Sequence, residues 1–332
     1  MSDITSVSQQ LASLIKKYPA DYIEAHIEEG ESSFISYRGK TLESIGRNVA
    51  VGGNVRALVK GGWGFISFNS FNDLAGRVDM AVRQAQLAAE KESLLAPVEP
   101  VIDKVLSEVN QDPVSIPLSE KKQILDEYNE ILWRTPKLQT SVIGYADGRK
   151  NSVFVNSAGS FIEQEKKNVT LRISAIAADN GEVQQAGISA GSPGDFSFMR
   201  HQHDEVERIG KQAVTLLSAP HIKGGEYTVI LDPILAGVFV HEAFGHLSES
   251  DFVYENDRMR EIMKLGKKFG SPILNIVDGA AVPGLRGSYK YDDEGVAVRK
   301  VNLLTNGVLT GRLHSRRTAA EYPGTGLVAP RR

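Results

Sequence analysis

An α+β fold, with mixed and mostly antiparallel sheets and packed helices, is what this 332-residue chain predicts. Three observations point that way. Stretches alternating apolar and polar residues recur through the first two thirds of the chain. The dipeptides Asp147-Gly148, Asn180-Gly181 and Asn306-Gly307 lie between such stretches, where a hairpin would turn. Amphipathic helical stretches interrupt the strands without following each one in turn, which argues against a doubly wound parallel sheet.

Taken in order, Val7, Leu11, Leu14 and Ile15 stand at helical spacing and predict a helix over 6–17. Asp21 to Glu28 alternates as a strand, and Glu31 to Gly39 and Val49 to Lys60 read as further strand pieces, broken at Gly52-Gly53 and Gly61-Gly62. Phe71 to Glu92 predicts a helix. Four prolines between 93 and 117 mark a boundary, with a short helix expected in Val101–Val109. A helix through Trp133 follows, then strands over 139–146 and 152–156 turning at Asp147-Gly148, a long strand over 160–177 and a helix over 204–217. The last third predicts a strand at Glu226–Leu231, a helix from Pro233 to about Glu249, a helix at Glu255–Lys268 and a strand at Ile273–Asp278. Three units are therefore expected: 1–110, an α/β unit; 111–220, a central antiparallel sheet with flanking helices; and 221–332.

Composition narrows the function. Basic and acidic residues number 38 and 41, for a formal net charge of −3. With no basic stripe interleaved with aromatics, a nucleic-acid partner is disfavoured. There are no cysteines, so thiolate metal sites, disulfides and cysteine nucleophiles are excluded within this sequence. The start has no leader pattern, and no apolar run approaches a membrane span. A cytoplasmic protein with no membrane partner is the expectation.

The chemistry concentrates in His241-Glu242-Ala243-Phe244-Gly245-His246. Asp232-Pro233 is a helix start, since the carboxylate caps open amides and proline suits the first turn. Into the apolar helix that follows fall two imidazoles and several acids, which there need partners or a metal. The familiar peptidase spacing of four puts two histidines on one helical face. A spacing of five separates them by about 140° on an ideal helix. Convergence on one ion therefore predicts a π-type widening, or a helix end, near Gly245. Glu242 is the expected general base, and His241 and His246 the ligands of one Zn2+. A catalytic zinc wants a third protein ligand; Glu249, Asp251, Asp278 and His314 are all open candidates, with Glu249 alternatively orienting His246. Arg312, Arg316 and Arg317 beside His314 form a cationic group able to neutralise the acid-rich site or clamp a peptide carboxylate. Gly52-Gly53 and Gly61 to Gly64 read as tight sheet turns, His201-x-His203 as a polar lead-in to a helix, and Asp292-Asp293-Glu294 as a solvated turn.

HEAFGHLSESDF at 241–252, after LDPILAGVFV at 231–240, resembles the signature of the TldD/PmbA family, specifically its TldD-like branch. The resemblance continues through VDGAAVPGLRGSYKYDDEG at 277–295 and NGVLTGRLHSRRTAA at 306–320, and upstream through GGNVRALVKGGWGFISFNS at 52–70 and VFVNSAG at 153–159. It implies a cytoplasmic metallopeptidase acting on peptides or unfolded protein segments, one zinc per TldD-like subunit, and assembly as a homodimer or a heterodimer with a PmbA-like subunit. It also implies that Trp63 and Phe65 help line a substrate cleft, to which the cationic reading above adds Arg312 and Arg316. The family draws its third metal ligand from a cysteine in a further C-terminal segment. The 221–332 unit is therefore expected to be incomplete at its C-terminus, and the rival reading is a non-catalytic or regulatory subunit lacking that ligand. A zinc amidohydrolase acting on a small amide is a weaker alternative.

Overall fold

The computed structural model describes residues 4–90, 92–280 and 282–322. Helix α1 (Ile4–Ile15) buries Ile4, Leu11 and Ile15 along one face. It packs beside an antiparallel meander of β1 (Tyr22–Arg38), β2 (Thr41–Val59) and β3 (Gly62–Phe68). Then come α2 (Leu74–Leu87), β4 (Ile102–Val105), α3 (Leu118–Trp133), β5 (Leu138–Asn156), β6 (Phe161–Asp179), β7 (Glu182–Ser192) and α4 (His203–Leu216). The seven strands make one sheet in the order β3-β2-β1-β5-β6-β4, with β7 also on β6. All its pairings are antiparallel except that of β4 with β6.

Alternation on β1 divides the side chains between the two faces. Ile23, Ala25 and Ile27 join Val55, Val78 and Val82 in a core under α1 and α2. Farther along the same strand, Ile35 joins Ile143, Leu171, Leu125 and Ile209 in a second core under α3 and α4. A polar band separates the cores on this face, where Arg149 pairs with Glu31 and Asn151 donates to Glu29 at 3.1 Å. β1 and β5 pair continuously from Glu24 with Asn156 to Arg38 with Val142, so the units expected at 1–110 and 111–220 share this sheet.

Several sequence expectations are corrected. Asp147-Gly148 is no turn: the dipeptide lies mid-strand in β5, opposite Ser33 and Ser32 of β1. Asp147 is buried and accepts hydrogen bonds from Lys121 Nζ at 2.5 Å, Ser33 Oγ at 2.6 Å and the nearby Tyr145 hydroxyl, all of them side chains, where a turn would use local backbone amides. Burial drives the Lys121 ammonium pKa down, opposed by its bond to Asp147. The expected breaks around Gly30 and Gly52-Gly53 are likewise absent, because both stretches remain in register. Val101–Val109 contains strand β4 in place of the expected helix, anchored where Phe161 N donates to Val101 O at 2.7 Å. By contrast, Asn180-Gly181 and Asn306-Gly307 do turn hairpins, each with positive φ at both residues.

The last third comprises α5 (Pro233–Val240), a π-helical turn (His241–Gly245), a 3-10 turn (His246–Ser248), α6 (Ser250–Tyr254), α7 (Asp257–Ile262), β8 (Ile276–Asp278), β9 (Val301–Thr305), β10 (Val308–Leu309) and α8 (Arg316–Glu321). Phe244, Val253, Met263, Leu303 and Leu309 form its core. The expected helix of 255–268 is shortened to α7, and the expected strand of 226–231 forms no ladder among the described residues. This unit sits on the sheet face opposite the helices. Tyr291 packs on Phe154 and Ile162, and Arg56 of β2 reaches both Glu24 (2.7 Å) and Glu294 (3.6 Å).

Candidate metal centre

Asp232 starts α5 as expected, its Oδ1 accepting from Ile234 N at 2.8 Å and Leu235 N at 3.0 Å. The helix is regular only to Val240. Across 241–245 it widens, and His246 N donates to His241 O, a bond spanning five residues. A 3-10 turn then tightens the chain. The widening removes the divergence that a regular helix imposes at this spacing: the two imidazole centroids stand 4.5 Å apart, at an interplanar angle of 65°. One ligand atom from each of His241, Glu242 and His246 lies within 4.8 Å of the others. Phe244, pointing the other way, is buried against Phe269 and anchors the turn in the core.

Gly245 is not the source of the distortion. Its φ of −58° and ψ of −57° are ordinary helical values, and a Cβ there would meet His241 Nδ1 only at 3.6 Å. The expectation of an enclosed apolar setting is corrected as well. α5 buries none of its residues, and His241, Glu242 and His246 are exposed. The arrangement suits a divalent cation by its donor set, two imidazoles and a carboxylate converging from one turn, on a surface a ligand can reach.

Of the third-ligand candidates, Glu249 turns to His246, its Oε1 lying 3.2 Å from His246 Nδ1. That leaves His246 Nε2 as the ring atom free to meet an ion. Asp251 lies in the first turn of α6, and His314 is wholly buried, with Nδ1 3.3 Å from Thr318 Oγ1. Asp278 lies in β8. Among the described residues, none of these four joins the His241, Glu242 and His246 group. Burial, reinforced by the Arg312 charge, pushes the His314 imidazole down to about 4, so it stays neutral.

The residues expected to line a cleft divide. Phe65 is 55% exposed and lines a 400 Å3 depression together with Glu24, His26, Arg56, Asp292 and Glu294. Trp63 is covered by the Arg56 guanidinium, 4.4 Å from its ring centre. Arg312 and Arg316 are buried, which corrects their expected place on a clamp. Arg312 donates to Met263 O and lies over Tyr254; Arg316 donates from Nε to Ala96 O at 2.9 Å and lies over Tyr22. Arg312 thus points into this unit, with its buried Nε left without a hydrogen-bond partner, and Arg316 ties the unit to the rest of the chain. Asp292, expected to be a solvated turn residue, is buried too, and desolvation raises its carboxyl to about 7 against the pull of the Glu294 and Val296 amides. The sequence signal for this depression was the polar half of the β1 alternation, of which Glu24, His26 and Glu28 line it.

No helix among the described residues is long and apolar enough to cross a membrane. Comparison with known proteins agrees with the motif. The chain matches PmbA/TldA metallopeptidase domain 1 over residues 24–89, the central domain over 111–219 and the C-terminal domain over 223–326. A metalloprotease of Synechocystis sp. is 40% identical over 323 residues, covering 96% of this chain and 70% of the relative. A metalloprotease of Methanocaldococcus jannaschii is 35% identical over 318 residues, covering 92% and 69%. Among solved structures, TldE from Thermococcus kodakarensis superposes with a TM-score of 0.72 at 16% identity, over 95% of this chain and 71% of that one, a likeness of fold. By the reach of these matches and the His-Glu-His turn they include, the chain belongs to the PmbA/TldD metallopeptidase family.

Proposed function

We propose that the chain is a zinc-dependent peptidase hydrolysing peptides or unfolded protein segments, with His241 and His246 as metal ligands and Glu242 as general base. The observation that carries this is the π turn, which closes a five-residue histidine spacing into one site with a carboxylate beside it. Two imidazoles favour zinc or a similar borderline ion over magnesium or calcium. A bound ion there would supply Lewis acidity for the scissile carbonyl and the attacking water. Glu242 is the residue placed to accept a proton as general base and to return it to the leaving amine. Glu249 holds the His246 ring by Nδ1, so that Nε2 keeps its direction. A homodimer, or a pairing with a PmbA-like subunit, is the assembly proposed, on the strength of the family alone.

Purified protein analysed for metal and assayed on an unstructured peptide tests this reading. Glu242→Gln is expected to keep its metal and lose at least a hundredfold in turnover, the usual worth of a general base. Cleavage that survives this substitution, or that persists after chelation, overturns it. Metal retained by a wild-type chain that cleaves nothing supports instead the non-catalytic subunit, a reading favoured by the absence of a further ligand among the described residues.

A further inference from the structure

The outer edge of β2 is paired for only part of its length. β3 lies along it from Val59 to Gly53, where the pairing with Phe68 is the last. From Ser44 to Gly52 the strand has β1 on one side and, among the described residues, no strand on the other. At the hairpin end this stretch is closed off by a bulge in the pairing with β1, between Ser36 and Tyr37, and by the Arg38–Glu43 ion pair at 3.0 Å. A strand edge carries backbone N–H and C=O groups able to bond a further strand, and folded proteins usually guard it with charge, proline or a bulge. Residues 44–52 hold no proline, and Arg47 is their only charge. Its guanidinium reaches back over its own chain to donate to Ile116 O at 3.4 Å.

Side chains on the free stretch are sorted by face. Ile45, Arg47, Val49 and Val51 stand opposite Ile35, Ser33, Glu31 and Glu29 of β1, on the side that carries the helices. Ile45, Val49 and Val51 are 39%, 62% and 41% exposed, although each is a β-branched residue suited to packing across a sheet. The other face bears Ser44, Gly46, Asn48 and Ala50, opposite Ser36, Phe34, Ser32 and Gly30. The strand at the far side of the sheet, β7, differs, for Val183 alone of its large apolar side chains is exposed.

We propose that the free β2 edges of two copies of this chain pair antiparallel about a two-fold axis at Asn48, joining their sheets into one. The register follows from the stretch itself. Asn48 is the midpoint of 44–52, so an axis there uses the whole of both edges. It sets Ile45 opposite Val51 and Arg47 opposite Val49, each twice by symmetry, with Gly46 opposite Ala50, Ser44 opposite Gly52 and Asn48 opposite its own copy. Branched apolar pairs of this kind stabilise a sheet, and no like charges meet. An axis at Arg47 would set two guanidiniums face to face, and one at Val49 would bring Ile45 against Gly53, whose outer side β3 already occupies. The pairing deepens the homodimer named above, on whose existence it rests, and is independent of the metal chemistry.

The chain has no cysteines, so cysteines introduced singly report the register. Asn48→Cys in the full chain, oxidised at micromolar concentration, is expected to give a disulfide-linked dimer, because residues facing each other across an antiparallel pair bring their Cβ atoms close to disulfide reach. Ser44→Cys, whose counterpart is Gly52, is expected to stay unlinked. Ile45→Cys and Val51→Cys chains, mixed, should link to each other in preference to themselves. Sedimentation velocity on unoxidised protein gives a second readout, in which wild type is dimeric and Val51→Lys, a change at an exposed side chain that leaves the core untouched, raises the dissociation constant by at least about tenfold. A wild-type chain that stays monomeric overturns the edge pairing and the homodimer together. A dimer that Val51→Lys leaves intact, with Asn48→Cys linking no better than Ser44→Cys, overturns the edge pairing alone and leaves the homodimer standing on some other surface.

Discussion

His246 shows how one side chain is fixed by the residue three places on. An imidazole at a helix end rotates freely unless one ring nitrogen is held, and here Glu249 Oε1 stands 3.2 Å from Nδ1. Carboxylates in this position set both the direction and the basicity of a metal-binding ring, and their loss typically costs ten- to a hundredfold in metal affinity. Glu249→Ala is therefore expected to weaken zinc binding by about that factor, with the fold intact because Glu249 is only half-buried. Glu249→Gln keeps an accepting oxygen and should recover much of the loss. Competition against a chelating dye measures both, and equal affinities for wild type and alanine variant would leave Glu249 no part in the site. His241, Glu242 and His246 were legible in the sequence because spacing and residue type carry them. The burial of Arg312 and Arg316 was not, because their partners are carbonyls of Met263 and Ala96, the latter 220 positions away, and no pattern of residue types records a carbonyl.

Among elements, helices showed themselves best in the sequence, since α1, α2, α3 and α4 each bury one apolar stripe and satisfy their backbones internally. Strands were legible in kind but not in length. Asp147-Gly148 has the composition of a turn, yet the neighbouring strands hold it straight and Lys121 neutralises it from α3. The glycines around Trp63 mislead in another way. Gly61 does turn, with φ of +77°, but Gly62 and Gly64 lie within β3 because α2 presses directly on the strand. A Cβ on Gly64 would come within 1.9 Å of Ala81 O, a backbone atom of the helix that cannot swing aside. Gly64→Ala is thus expected to destabilise the protein by about 1–3 kcal/mol or more, the cost of overpacking. Gly144→Ala in β5, where a Cβ meets nothing within 4 Å, should stay within about 0.5 kcal/mol of wild type. Urea midpoints compare the two, and a Gly64→Ala protein as stable as Gly144→Ala would mean that α2 does not sit on β3 as described.

At the scale of the whole molecule, two buried titrating groups of the metal-bearing unit pull stability in opposite directions over one pH range. Asp292 has its carboxyl raised from 3.8 to about 7, mainly by burial. Between those values the folded chain keeps a proton that the unfolded chain has released, so this group's contribution falls as pH rises from about 4 to 7. His314 runs the other way. Its imidazole is lowered from 6.5 to about 4, again mainly by burial, so between those values only the unfolded chain holds the proton, and stability rises with pH. Each effect is worth on the order of a few kcal/mol. Because they overlap, the wild-type melting temperature should change little between pH 4 and 6.5 on their account. Asp292→Asn removes one arm while keeping an oxygen for the Glu294 and Val296 amides, which bond to Oδ1 at 2.9 and 2.7 Å. In chelator, so that metal binding adds no slope of its own, this variant's melting temperature is expected to climb with pH across that range and to exceed wild type at pH 7. Parallel profiles for variant and wild type would show that Asp292 ionises in the folded chain as it does in water, and that its loop is open where the structure closes it.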